Sequence, residues 1–132
     1  MIPSSFTQMQ IESTRDFILL ILTLKVRTVK HIVVGSPYVF YKDVAKNLGY
    51  DIVIDSDETN LETVITQASE LEFLNSNLLL SAVTVGVDGQ VKESFFKLAE
   101  QHGLLKTDAD RMAFWQEHVK LIREKYGKKM NF

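Results

Sequence analysis

Residues 78–96 read LLLSAVTVGVDGQVKESFF. Leu78, Leu79, Leu80, Ala82, Val83, Val85 and Val87 make a nearly unbroken apolar run rich in β-branched residues, and Asp88-Gly89 follows as a pair suited to positive φ. The run predicts a buried strand that ends in a tight turn. Beyond the turn, Gln90-Val91-Lys92 returns as a short edge strand and Phe95-Phe96 open a helix. One antiparallel hairpin then carries the sheet, and the remaining segments pack on it.

The segments before the hairpin are helical or mixed. Thr7 or Ser5 can cap a first helix with Met9, Phe17, Leu20, Ile21 and Leu24 at helical spacing. Ile18, Leu19 and Leu22 make this helix apolar nearly all round. It therefore needs cover on more than one face, from the rest of the domain or from a second copy of the chain. Gly35-Ser36-Pro37 is the clearest break; Tyr38-Val39-Phe40 then reads as a short strand and 41–49 as a short helix stopped by Gly49. Tyr50 to Ile54 is a second mixed apolar segment. Asp55-Ser56-Asp57-Glu58-Thr59-Asn60 is a helix start, because its side-chain oxygens accept free backbone N–H groups and its carboxylates complement the positive dipole end. Leu61, Val64, Ile65, Ala68, Leu71 and Phe73-Leu74 give that helix an apolar face. After the hairpin, a helix from about Lys92 to His102 carries Phe95, Phe96, Leu98 and Ala99. A last helix, capped within Thr107–Asp110, aligns Met112, Trp115, Val119, Ile122 and Tyr126.

At 132 residues the chain fits one domain, 1–132, able to bury roughly two thirds of its unfolded surface. It has no cysteine, which excludes disulfides, thiolate metal sites and cysteine nucleophiles. Together with a polar N-terminus lacking a basic n-region, this points to a cytoplasmic setting. The apolar run from Phe17 to Leu22 lies between Arg15-Asp16 and Lys25, far short of the ~20 residues of a membrane span. Charge is segregated: between Asn47 and Val91 there is no Lys or Arg, but Asp51, Asp55, Asp57, Glu58, Glu62, Glu70, Glu72 and Asp88. Lys25, Arg27, Lys30, Lys42 and Lys46 precede this acidic block, and Lys120, Arg123, Lys125, Lys128 and Lys129 follow it.

The order helix, short strand, tyrosine-led helix, helix, hairpin resembles a winged-helix domain, in which the hairpin is the wing. Residues 38–50, YVFYKDVAKNLGY, are similar to the T-Y-x-x-[VL]-A-x-x-[LI]-G opening of winged-helix-like domains, including the DNA-contacting domain of alkyltransferase-like proteins. Residues 38–126 also resemble a group of small bacterial and phage proteins with an LSAxVV strand, a glycine-containing turn, then GFFxLAxxLG and FWxxxxxxV. The matching pieces are Leu80-Ser81-Ala82-Val83, residues 94–103 (SFFKLAEQHG), and Phe114-Trp115 with Val119. The resemblance implies an α+β, winged-helix-like fold with a small antiparallel hairpin, about five helices and added terminal helices. Two departures stand out. Winged-helix readers place a basic helix in the major groove, whereas the corresponding helix here, Asp57 to Leu74, has no basic residue. The group's Pro-Gly-x-Gly turn is replaced by Val91-Lys92-Glu93-Ser94.

The expected function is non-enzymatic binding with no cofactor. The leading expectation is a nucleic-acid-associated accessory or regulatory module, contacting DNA through Lys120, Arg123, Lys125, Lys128 and Lys129. The alternative is a phage-type inhibitor or adaptor that presents Asp55, Asp57, Glu58 and Glu62 to a basic protein. A more remote one is a metal-dependent nuclease pairing Lys92 and Asp88 with Asp55 or Glu58. His31, His102 and His118 are too scattered for a metal site and read as structural or solvent-facing, and Asp108 and Asp110 read as helix caps.

Overall fold

The first helix begins where Thr7 and Gln10 satisfy each other's backbone. Gln10 N–H donates to Thr7 Oγ1 at 3.1 Å and Thr7 N–H to Gln10 Oε1 at 2.9 Å, a reciprocal cap that the Thr-x-x-Gln spacing permits. The computed structural model describes residues 2–27, 38–86 and 88–127, apart from the side chains of 23–27. The side chains of Lys25 and Arg27, and residues Lys30, His31, Lys128 and Lys129, lie outside the described part. The elements are α1 (Gln8–Arg27), β1 (Val39–Phe40), α2 (Tyr41–Asn47), α3 (Asp55–Ser76), a 3-10 turn (Leu80–Val83), β2 (Thr84–Val85), α4 (Glu93–Gln101) and α5 (Arg111–Gly127). The architecture is α+β: mostly helical, with a small two-stranded sheet. Among the described residues no helix is long and apolar enough to cross a membrane.

The sheet differs from the expected hairpin. β1 and β2 pair parallel, with Val39 opposite Thr84 and Phe40 opposite Val85. Of the antiparallel hairpin the described residues keep one bridge, Val85 to Val91. The corner that closes it is tight: Gly86 N–H donates to Gln90 C=O at 3.2 Å, Asp88 Oδ1 accepts Gln90 N–H at 3.0 Å, and Gly89 has φ 75°. Most of the apolar run is not strand at all. An apolar run without alternation does not distinguish a strand from a buried helical turn, and here Leu80 to Val83 coil as a 3-10 turn.

What permits that turn in the middle of the protein is side-chain chemistry from the flanking helices. Leu79, Leu80, Ala82, Val83 and Val85 are fully buried, and each large apolar side chain among them stabilises by about 1.5–3 kcal/mol. An unsatisfied backbone group on the same segment would cost about 1–3 kcal/mol, enough to cancel that gain. Ala82 N–H donates to Leu79 C=O within the turn, and Thr84 Oγ1 to Ser81 C=O, but three bonds come from outside the segment. Leu79 N–H donates to His118 Nε2 at 2.8 Å, Ser81 N–H to Ser69 Oγ at 3.1 Å, and Trp115 Nε1–H donates to Ala82 C=O at 2.8 Å. α3 and α5 thus hold the segment from two sides. At their far ends the buried Tyr126 hydroxyl bonds the buried Glu72 carboxylate. Burial and that bond push the phenol up to about 12.

The helical faces follow their apolar spacing, with four exceptions. Leu61, Val64, Ile65 and Ala68 of α3 are buried, as are Ile18 and Leu22 of α1 and Trp115, Val119 and Ile122 of α5. Met9, Leu74 and Met112, expected on inward faces, are exposed. Each lies near a helix end, where no neighbouring element continues far enough to cover it. Leu20 is also exposed, because α1 is covered on the side where it meets α2, α3 and α5 and this residue faces away.

Two measurements test this core. Trp115→Phe keeps an aromatic ring but leaves the Ala82 carbonyl without a donor, and should lower the urea-unfolding free energy by about 1–3 kcal/mol. His118 is held neutral, its pKa pushed down to about 4 by burial. The unfolded imidazole takes up its proton near 6.5, so between about 6.5 and 4 the unfolded state binds more protons. This contribution to stability is complete above that window and is lost as pH falls through it. Thermal unfolding should therefore move to lower temperature between pH 6.5 and 4, and that slope should flatten in His118→Gln.

Candidate functional site

The N-terminal end of α3 collects the chemistry that the sequence reading assigned to a protein-binding face. The structure separates its four carboxylates. Asp55, Glu58 and Glu62 follow i, i+3, i+7 spacing and share one side of the helix, whereas Asp57 is on the buried side with no exposure. Asp57 is therefore corrected from a docking residue to an internal anchor. Its Oδ2 accepts Val53 N–H at 2.9 Å and Ile54 N–H at 3.0 Å, and its Oδ1 accepts Ile2 N–H at 2.8 Å. Those three bonds, first the one from Ile2, hold its pKa below the usual carboxylate value. A nearby amide reinforces the same junction, where Asn60 Nδ2–H donates to Ile2 C=O at 2.9 Å.

Because two of those N–H donors belong to residues 53 and 54, the carboxylate fixes the backbone that leads into α3. Ile54 is extended, with φ −129° and ψ 163°. Ile52, Val53 and Ile54 are all exposed, Val53 by 72 %. Asp51 before them and Asp55 after them are exposed too and, among the described residues, are in no ion pair. A row of three β-branched apolar side chains is thus held to solvent between two free carboxylates.

Beside this row lies a cavity of about 280 Å³ lined by Phe40, Tyr41, Lys42, Ile52 and Glu58. Phe40 enters it from the end of β1, and Tyr41 from the first position of α2. The Tyr41 hydroxyl lies beside the side chains of Ser94 and Thr84. Burial first, then the Glu62 and Glu58 charges, push its pKa well above the ordinary phenol value. Glu58 is joined to Lys92, whose ammonium also lies 5.7 Å from the centre of the Tyr41 ring. The bond to Glu58, with the fields of Glu58, Asp88 and Glu62 behind it, raises the Lys92 pKa. The Lys92 stem crosses Gly86 so closely that a Cβ there would sit 3.0 Å from its Cε and Nζ. The arrangement that sequence spacing offered to a nuclease is therefore brought together in one respect, Lys92 with Glu58. Among the described residues no group of three side chains is placed to hold a metal ion.

The basic candidates occupy a different surface. Lys120, Arg123 and Lys125 are exposed on α5, spread around the helix outside the buried Trp115, Val119 and Ile122, and are in no ion pair among the described residues. Exposed Glu117 and Glu124 lie among them. Lys128 and Lys129 fall outside the described part. Of the remaining candidates, His118 is a buried structural acceptor, and Asp110 caps α5 by accepting Ala113 N–H at 3.1 Å. Missed from sequence were Phe40, Tyr41 and the 52–54 row. Their signal was an apolar run inside the acidic block, bounded by Asp51 and Asp55 and too short for helical periodicity.

Comparison of the chain with family models, curated proteins and solved structures finds no match.

The Asp57 anchor sets an acid-side expectation. Its folded pKa lies below the unfolded value near 3.9, so its contribution is present above 3.9 and lost as pH falls through the folded pKa. Asp57→Asn should unfold at a lower temperature than the wild type at neutral pH. The gap should narrow in strong acid, and amide hydrogen exchange at residues 2, 53 and 54 should quicken in the variant.

Proposed function

We propose that this chain is a non-enzymatic protein-interaction module of winged-helix-like build, which docks a basic protein partner on the N-terminal end of α3. The observation that carries the reading is the 52–54 row: three apolar side chains kept in solvent by a buried carboxylate, flanked by Asp51 and Asp55, which are in no ion pair among the described residues. Exposed apolar patches rimmed by charge mark interaction sites, and a backbone already fixed loses little entropy on binding. The winged-helix element is supported by the helix order and by the tight corner between β2 and Val91, a rudimentary wing. Where a groove reader carries cations, α3 has none along its 22 residues, and phosphate contact there would be repulsive.

A second reading rests on a separate observation, the exposed and unpaired Lys120, Arg123 and Lys125. They would give salt-dependent, sequence-independent contact with nucleic acid through counterion release, weakened by Glu117 and Glu124 between them. Fluorescence anisotropy with two probes decides between the readings. On the first, a labelled oligolysine binds the wild type at low salt, and Asp51→Asn/Asp55→Asn/Glu62→Gln abolishes this while duplex DNA shows no binding. Binding of duplex DNA that falls steeply with salt and is lost in Lys120→Ala/Arg123→Ala would favour the second.

A further inference from the structure

Resting on the protein-docking reading, we infer that the cavity beside Ile52 is an anchor pocket. It receives one large apolar side chain from a partner segment in which that residue stands between lysines or arginines. At about 280 Å³ the cavity falls just below the roughly 300–1,000 Å³ typical of sites for whole small molecules, and suits a single bulky side chain. Its walls are the Phe40 and Tyr41 rings and the Ile52 side chain, so the matching group is apolar and preferably aromatic.

The walls are fixed before any partner arrives. Phe40 belongs to the sheet, opposite Val85. Tyr41 is buried at the first position of α2. Ile52 precedes the two residues whose N–H groups end on Asp57. A pocket with pinned walls binds an anchor without first ordering itself, the usual setting of an interface hot spot.

Charge assigns the flanks. Asp51 and Asp55 bracket the apolar row, and Glu62 continues the same side of α3 beyond Glu58. Among the described residues of the lining Lys42 is the cation, and its ammonium lies over the Phe40 ring at 5.9 Å. Basic flanks are thus drawn to the Asp51 and Asp55 side of the opening and repelled from the Lys42 side.

The test is a titration of the ¹⁵N-labelled chain with capped tripeptides, followed by amide shifts. Lys-Trp-Lys should shift residues 40–42, 52–54 and 58, whereas Lys-Ala-Lys should bind about tenfold more weakly because it lacks the anchor. Ile52→Ser should weaken Lys-Trp-Lys by a similar factor without disturbing the spectrum elsewhere. Should that variant unfold, the milder Ile52→Ala, which also shortens the wall, takes its place. Equal binding of the two basic peptides overturns the anchor pocket while leaving charge-led docking intact. Absence of shifts with either basic peptide overturns both. Glu-Trp-Glu binding as tightly as Lys-Trp-Lys overturns the basic flanks, and shifts centred on the outer face of α1 overturn the location.

Discussion

Everything in this fold answers to one requirement: the chain from Leu79 to Val85 lies in the centre of the protein, and its peptide groups must find partners there. A wide sheet would supply them from neighbouring strands, but β1 is two residues long and pairs only with Thr84 and Val85. The 3-10 turn supplies some within itself, and Ser69 from α3 with Trp115 and His118 from α5 supply others. These residues do more than fill space. Their polar atoms set how deeply the two helices sit and in what rotation, since each reaches one particular peptide group. The Phe95 and Phe114 rings close around His118, excluding the water that would otherwise compete for the Leu79 N–H.

The same logic operates a second time at the start of α3. Buried Asp57 gathers peptide N–H groups from two separate segments, residue 2 and residues 53–54, and so ties the N-terminal segment to the entry of the helix. A charge in that position is tolerable because three hydrogen bonds replace its water. The consequence reaches the surface. With their backbone fixed and their side chains turned out, Ile52, Val53 and Ile54 cannot collapse inward, and the apolar row beside the Phe40–Tyr41 cavity persists as a feature of the fold.

The helices were legible in the sequence because caps and apolar spacing are local signals. Thr7, the Asp55–Asn60 cluster and Asp110 mark ends that the structure keeps. The stretch 78–96 was legible as buried but not as coiled, since the deciding partners, His118 and Trp115, lie more than thirty residues away. The candidate site was half legible for a similar reason. Its acidity is plain in the composition, but which carboxylate turns inward depends on the long-range bond from Ile2 to Asp57. Lys92 meeting Glu58 likewise requires the turn at Gly86–Gln90 to bring α4 back beside α3.

Acidic residues at a helix N-terminus have two explanations, and the positions on α3 separate them. Asp55 and Glu58 lie in the first turn, where a carboxylate interacts favourably with the helix dipole by about 0.3–1 kcal/mol whether or not a partner exists. Asp57 is occupied by peptide N–H groups. Glu62 lies two turns in, beyond the reach of that effect, and is in no ion pair among the described residues; it acts on the Tyr41 phenol and on the partly solvated Lys92 through its field. Such a partly screened field contributes little to folding. Glu62 is therefore the carboxylate of this face whose charge the fold uses least, and it lies in line with Asp55 and Glu58 on the side that a basic partner would meet.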